Sequence, residues 1–182
     1  MKRIVIAVGL MMLLVAVSST AQTPAPKPGP EHKKMEIWVG NWTCAGEASA
    51  TPFGPAGKAS GISSVKPILG GFFLEFRGED TGAAGKTQWI EIDGYDPVAK
   101  RFTWDNFSSD GTVQRITYTV EGNTVPYSGT HATLEKQAKM RGTVVFSADF
   151  MSSVDKREIS LDGKAWMPLW EIKCTKTKLS PK

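Results

Sequence analysis

The spacing of apolar residues changes once along the chain, near Gly40. Before it, Met35 and Trp38 are three positions apart, which is the spacing of one face of an α-helix, and a glycine can end such a helix in left-handed backbone. The pattern therefore predicts a short helix over about residues 31–39. From Asn41 onward apolar and polar residues alternate, which is the period of a β-strand with one buried face.

The alternating part of the chain predicts ten strands separated by turn residues. They lie at about residues 41–50, 58–66, 72–79, 86–95, 101–107, 112–120, 124–134, 139–149, 154–161 and 166–176. Consecutive strands joined by short turns form an antiparallel meander, and closing that meander removes its exposed edges. We therefore predict an all-β fold: a single up-and-down antiparallel β-barrel of about ten strands, with a short N-terminal helix capping one end. A β-sandwich is the alternative.

The first 30 residues predict export rather than a part of the barrel. Lys2 and Arg3 precede the apolar run Ile4–Val17, which is shorter than the roughly 20 residues that span a membrane, and small residues follow up to Ala21. We predict a signal peptide over residues 1–21, a proline-rich disordered tether over 22–30 and a barrel domain over 31–178. The mature protein would then be periplasmic or extracellular with no membrane span. An uncleaved N-terminal anchor is the alternative.

Charge and cysteine count narrow the classes of partner. Loss of Lys2 and Arg3 with the signal peptide lowers the formal charge from +4 to +2, which does not predict a nucleic-acid partner. Cys44 and Cys174 are the only cysteines, and an even count in an oxidising compartment predicts one disulfide. In a closed meander the first and last strands are neighbours, so these cysteines can pair across them. Two unpaired cysteines are the alternative, and without a histidine cluster they predict no metal site.

Aromatic residues recur on single faces of several predicted strands. Phe102 and Trp104 share a face, as do Trp166 and Trp170. These faces predict a cavity for a small hydrophobic or amphipathic ligand, with the following candidate lining residues: Phe72, Leu74, Phe76, Trp89, Phe102, Trp104, Tyr118 and Trp170. The alternative is a barrel filled by these side chains, which would serve as a structural or partner-binding module.

Charged residues occupy the other strand faces, and we expect these faces to point outward into solvent. They carry Glu75 with Arg77, Glu91 with Asp93, Arg115, and Glu171. If such a face points inward instead, it gives the cavity polar groups that can orient a ligand.

No residue pattern predicts catalysis or a cofactor. The close carboxylate pair Glu91 and Asp93 could perform acid–base chemistry only if burial raised a pKa, so an enzyme is the less favoured hypothesis. His131 could ligate a haem iron or act as a base, but a single histidine in a barrel more often makes a local hydrogen bond. No serine follows the strand–turn–helix pattern of a hydrolase nucleophile.

Several short motifs resemble those of known barrel families. Gly40-Asn41-Trp42 after a short helix is similar to the G-x-W start of lipocalins and other calycin barrels. A wider set resembles the bacterial family known as domain of unknown function 1579: Trp38 to Trp42, Ile68 to Glu75, Gly94 to Phe102 with Trp104, and Asp162-Gly163-Lys164.

The resemblance implies a lipocalin-like barrel and no particular activity. In lipocalins a basic residue of the last strand packs over the G-x-W tryptophan, and Lys173 is the nearest basic residue here, on the strand face opposite to Trp170. The related nitrobindins bind haem through a histidine near the C-terminus, whereas this chain has no histidine after His131. The resemblance therefore does not imply a haem site.

Overall fold

The computed structural model describes residues 25–177, which form one short helix and ten strands. Helix α1 (Pro30–Lys34) continues into a single 3-10 turn, Met35–Trp38. The strands are β1 (Gly40–Ala48), β2 (Gly57–Ile68), β3 (Phe73–Gly82), β4 (Gly85–Asp96), β5 (Arg101–Ser108), β6 (Val113–Tyr118), β7 (Thr124–Ala132), β8 (Gln137–Phe146), β9 (Ser152–Ser160) and β10 (Met167–Thr177). The predicted signal peptide lies outside the described residues.

The strands form a closed barrel in which each strand is antiparallel to the next. β10 returns to pair with β1, so the sheet has no free edge, and the predicted all-β barrel of about ten strands is confirmed. Short turns explain the meander: between β4 and β5, for example, the Asp96 carboxylate accepts hydrogen bonds from the backbone N–H groups of Val98 and Ala99. Among residues 25–177, no helix is long and apolar enough to cross a membrane.

A disulfide joins the first and last strands at the seam where the barrel closes. Cys44 and Cys174 are directly opposite each other in the β1–β10 register and form the predicted bond. The two cysteines are 130 residues apart in sequence. The bond therefore closes most of the polypeptide of the barrel into one covalent loop.

The N-terminal turn closes one end of the barrel by packing tryptophans and phenylalanines against each other. Met35 is only 1% exposed, and the Trp38 ring lies 4.8 Å from the ring of Phe146. The Trp42 indole N–H donates a hydrogen bond of 2.7 Å to the Trp38 carbonyl oxygen, which attaches the turn to β1. The predicted cap at this end is therefore present.

The basic residue that packs over Trp42 is Lys176, not the Lys173 considered from the sequence. Lys176 is opposite Trp42 in the β1–β10 register, and its Nζ lies 4.8 Å from the centre of the Trp42 ring. The same ammonium donates a hydrogen bond to the Ile37 carbonyl oxygen at 3.0 Å. The lipocalin-like arrangement is thus present, three residues later in the chain than Lys173.

One irregularity in β10 overturns the expectation that Trp166 and Trp170 share a face. The β9–β10 register shifts between Pro168 and Trp170, where an extra residue is accommodated as a bulge. Trp170 contacts Asp155 inside the barrel, whereas Trp166 precedes β10 and stacks on the exposed Arg141. A bulge shifts the two-residue period, so face assignments do not carry across it.

Candidate functional site

The interior of the barrel contains charged residues, and the expectation that Glu91 and Asp93 point outward is wrong. Glu91 is 4% exposed and Asp93 is 1% exposed. Their strand turns this face inward because Asp93 is paired with Trp104 on β5 and with Leu74 on β3, both of which point into the barrel. The other charged faces do point outward, since Arg77, Arg115 and Glu171 are exposed.

The two carboxyl groups are held by neutral hydrogen-bond donors. The Asn106 amide donates to Glu91 Oε2 at 3.1 Å, and the Tyr118 hydroxyl donates to Asp93 Oδ2 at 2.8 Å. Burial, and then the neighbouring Asp93, raise the pKa of Glu91 well above its usual value. Burial also raises the pKa of Asp93 to about 7. At neutral pH the pair therefore retains protons that exposed carboxylates would have lost.

A second cluster is centred on Arg157, which sequence reasoning missed. Its guanidinium is 3% exposed and donates to the Tyr127 hydroxyl at 2.8 Å, to the Gln114 side-chain oxygen at 3.0 Å and to the Asp155 carboxylate at 3.1 Å. It also lies 4.2 Å from the centre of the Trp170 ring. Burial opposes the charge of Arg157, but its contacts with Tyr127 and Asp155 hold its pKa above the usual value. This cation is therefore fully compensated by protein groups.

A glycine makes that cluster possible. Gly142 is directly between Tyr127 on β7 and Arg157 on β9 in the strand registers. A Cβ atom at this position would collide with the Tyr127 hydroxyl. The missing side chain leaves the space through which Tyr127 reaches Arg157 and donates a hydrogen bond of 2.6 Å to Asp155.

His131 is a local hydrogen-bonding residue in this structure. Its Nδ1 is 3.2 Å from the Gln114 side-chain nitrogen, and the ring packs edge-on against Phe53 with centres 5.0 Å apart. Burial, followed by the charge of Arg157, lowers the pKa of His131 to about 4, so the ring is neutral at physiological pH. No group of three or more potential metal ligands occurs within residues 25–177.

One buried donor near the carboxyl pair has no hydrogen-bond partner among the described residues. It is the indole nitrogen of Trp104, and Asp93, the residue directly opposite on β4, has a buried Oδ1 for which the Glu91 carboxyl group is the neighbouring donor. Buried polar atoms in folded proteins are nearly always hydrogen-bonded, to protein or to another molecule. A small molecule could therefore accept a hydrogen bond from the indole or compete with Glu91 for the Asp93 oxygen.

The inward positions of β1 and β2 toward the end opposite the helix carry small side chains: Gly46, Ala48, Ala59 and Gly61. The Asp80 carboxylate of β3 lies directly over Gly61. The loop between these strands folds across this end, where Phe53 contacts His131 and the Lys136 ammonium donates to the Pro52 carbonyl oxygen at 3.0 Å. The two ends therefore differ, because the helix and its tryptophan pack one end and the β1–β2 loop crosses the other.

Most of the predicted lining residues do point into the barrel. Leu74, Phe76, Phe102 and Tyr118 are buried, and Trp89, Trp104 and Trp170 are partly buried. Phe72 lies outside this group, because it precedes β3 and packs against His32 of the helix with ring centres 5.2 Å apart. Phe102 and Tyr118 stack on each other with ring centres 5.0 Å apart, so they form part of the packed floor beneath the carboxyl pair.

The outer surface carries a separate hollow of about 840 Å³ along β1 to β5. Its exposed apolar residues are Ile62, Ile90 and Phe107, which are 53%, 38% and 45% exposed. Arg77 and Glu79 line it as well, and so do Trp42 and Trp89. The hollow is open to solvent, and its exposed residues lie on the opposite side of the sheet from the carboxyl pair.

Comparisons with known proteins identify the family and support the fold. The sequence profile of a family described as "Protein of unknown function (DUF1579)" matches residues 27–175. Rv2717c from M. tuberculosis has a similar structure, with a TM-score of 0.59 and 11% identity over 82% of this chain and 99% of the other. The S-type phycobiliprotein lyase CPES from Guillardia theta is also similar, with a TM-score of 0.51 and 12% identity over 84% of this chain and 100% of the other. No curated protein matches the sequence.

Proposed function

Because the chain belongs to the DUF1579 family of proteins of unknown function, we propose a function from the barrel interior itself: the protein binds a small amphipathic molecule there. The observation that carries the proposal is the buried Trp104 indole nitrogen, which has no hydrogen-bond partner among the described residues, on the residue directly opposite the buried Asp93 carboxyl group. A filled, purely structural barrel would be expected to satisfy such atoms within its own fold.

The arrangement of the interior supports a ligand with one polar end and one apolar end. One polar group of the interior lies on β4 and β5, where Glu91, Asp93 and Asn106 face inward, and the Arg157 cluster lies on other strands. Aromatic rings flank the β4–β5 group, and the small residues of β1 and β2 lead toward the end opposite the helix. Sites for small molecules commonly combine a mostly apolar wall with a few oriented polar groups.

Binding can be tested with two neutral probes, Nile red and 2-phenylethanol. Nile red fluoresces more strongly and at shorter wavelength in an apolar site, and 2-phenylethanol should displace it from the same interior.

Export to the periplasm or outside the cell remains part of the proposal, since such a protein would meet its ligand there. The disulfide is compatible with that location.

Neighbouring residues of β2 offer a matched pair of variants. Ala59 points inward and Ser60 points outward, so Ala59→Trp adds an indole to the interior whereas Ser60→Trp adds the same indole to the outer surface. We expect Ala59→Trp to weaken Nile red binding at least tenfold and Ser60→Trp to change it by less than twofold. Ala59→Leu gives a smaller step if the larger residue prevents folding. Equal effects of Ala59→Trp and Ser60→Trp would contradict binding in the interior.

A second candidate function is a partner-binding module, and the outer hollow favours it. Ile62, Ile90 and Phe107 present adjacent apolar side chains on that face. The occupant we consider is a second copy of this chain, because its outer face carries both Arg77 and Glu79 beside the apolar residues and can meet itself with opposite charges. Light scattering would test it: a dimer that Ile90→Asp dissociates supports the candidate, and a monomer at high concentration rejects it.

A further inference from the structure

The charges inside the barrel do not balance. Asp155 is paired with Arg157, and His131 is neutral because burial lowers its pKa to about 4. Glu91 and Asp93, by contrast, are hydrogen-bonded only to the neutral donors Asn106 and Tyr118 and to each other among the described residues, while the Arg157 charge acts on Glu91 without a hydrogen bond. Two buried carboxyl groups in contact persist only if they hold protons or face a cation.

The polar atoms at the pair indicate the chemistry that would complete it. Asp93 Oδ1 can accept a hydrogen bond from an ammonium, whereas the opposite Trp104 indole is a donor and requires an acceptor on another part of the ligand. Trp89 shares the inward face of β4 with the carboxyl groups and is partly buried. Aromatic faces beside carboxylates form a favourable environment for an ammonium group. A carboxylate or phosphate ligand would instead face two groups of its own charge.

We propose that the Glu91–Asp93 pair is the polar end of the binding site and that it holds a protonated amine, so the ligand is a small amphipathic amine. This inference rests on the proposed binding function and specifies the class of ligand. The ammonium donates hydrogen bonds to the carboxyl oxygens and replaces one proton held by the pair, which leaves to solvent. The apolar part of the amine extends along the aromatic wall toward the end opposite the helix.

The proposal predicts different affinities for three probes that share a phenyl ring and differ in their polar group. They are 2-phenylethylamine, 2-phenylethanol and phenylacetate, measured by isothermal titration calorimetry at pH 8. We expect the amine to bind at least thirtyfold more tightly than the alcohol, and phenylacetate to bind more weakly than either. An amine that binds less than threefold more tightly than the alcohol overturns the inference.

Proton release provides an independent readout. When the amine displaces a proton from the pair, its affinity should increase about tenfold per pH unit below the pKa of the pair and level off above it. The titratable side chains that act on the pair from other strands are Tyr118 on β6, Arg157 on β9 and Asp105 on β5. Binding enthalpies measured in two buffers with different ionisation enthalpies should show about one proton released near pH 6. An affinity for the amine that is the same at pH 5 and pH 8 contradicts the proposal.

Variants of the pair distinguish this inference from the proposed function. Asp93→Asn should lower the affinity for the amine at least tenfold and remove most of its advantage over 2-phenylethanol. Glu91→Gln is the second variant if Asp93→Asn does not fold, and Glu75→Gln is the control, because Glu75 is on β3 and lies in an outward ion pair with Arg77. If Nile red binds but the amine binds no more tightly than 2-phenylethanol, only the inference about the amine fails. If neither Nile red nor any phenyl probe binds, both the inference and the proposed function fail.

Discussion

Replacing Asp93 by asparagine should change how the stability of the barrel depends on pH. The Asp93 carboxyl group is 1% exposed, and burial raises its pKa from the usual 3.8 to about 7. Between these two values the folded protein holds a proton that the unfolded chain has released. The stabilisation from that proton is therefore complete below about pH 4 and is lost as the pH rises through about 7.

The size of the effect follows from the difference between the two pKa values of Asp93. At about 1.4 kcal/mol per pKa unit, a pKa of about 7 against 3.8 corresponds to about 4 kcal/mol. Asparagine keeps an oxygen that can accept the Tyr118 hydrogen bond but does not titrate. Because Asp93 also raises the pKa of Glu91, the free energy of unfolding of the wild type should fall by at least about 4 kcal/mol relative to Asp93→Asn between pH 4 and pH 8.

Urea unfolding at several pH values measures this difference directly, with the disulfide intact in both proteins. The comparison of wild type with variant removes the contribution of His131, whose lowered pKa acts in the opposite direction over the same pH range. Glu158→Gln is the control, because Glu158 lies on the outer surface at 2.7 Å from Arg141. An exposed ion pair of this kind contributes roughly 1 kcal/mol or less. If the difference in free energy of unfolding between wild type and Asp93→Asn changes by less than about 1 kcal/mol over this pH range, the burial of the Asp93 carboxyl group is refuted.

Three further changes test the fold and the Arg157 cluster. Replacing both Cys44 and Cys174 by alanine opens a link between residues 130 apart and should lower the free energy of unfolding by up to about 5 kcal/mol in urea titrations. Arg157→Met leaves Asp155 buried without its cation and should cost about 3–5 kcal/mol, whereas Arg141→Met on the outer surface should cost less than about 1 kcal/mol. Lys176→Met removes the cation that lies over the Trp42 ring. It should lower the free energy of unfolding by about 1 kcal/mol and so lower the midpoint of thermal unfolding. An unchanged midpoint would contradict that contact.

The barrel could be predicted from the sequence because its determinants are local. Alternation from Asn41 onward and turn residues between strands specify ten antiparallel strands in order. The cysteines near the two ends of this series then specify which strands meet at the seam. The same register could have identified Lys176: two residues before Cys44 is Trp42, and two residues after Cys174 is Lys176.

The inward direction of Glu91 and Asp93 was missed because alternation shows which residues share a face but not which face is buried. A signal was available in the hairpin turn at residues 96–100, which places Asp93 opposite Trp104. Directly paired residues lie on the same side of a sheet, so an inward Trp104 requires an inward Asp93. Arg157 had no such signal, because its strand carries charges on both faces, with Asp155 and Arg157 inside and Lys156 and Glu158 outside.

The central claim, that the barrel interior is the ligand site, is tested most directly by the indole N–H signals of the six tryptophans in a ¹H–¹⁵N spectrum. Trp104 has a buried and unpartnered indole nitrogen in the interior, whereas Trp166 stacks on Arg141 at the outer surface. Replacing each in turn by phenylalanine assigns the two signals. During titration with 2-phenylethanol we predict a saturable shift of the Trp104 signal and no shift of the Trp166 signal. A Trp104 signal that stays unchanged at saturating probe would contradict binding in the interior.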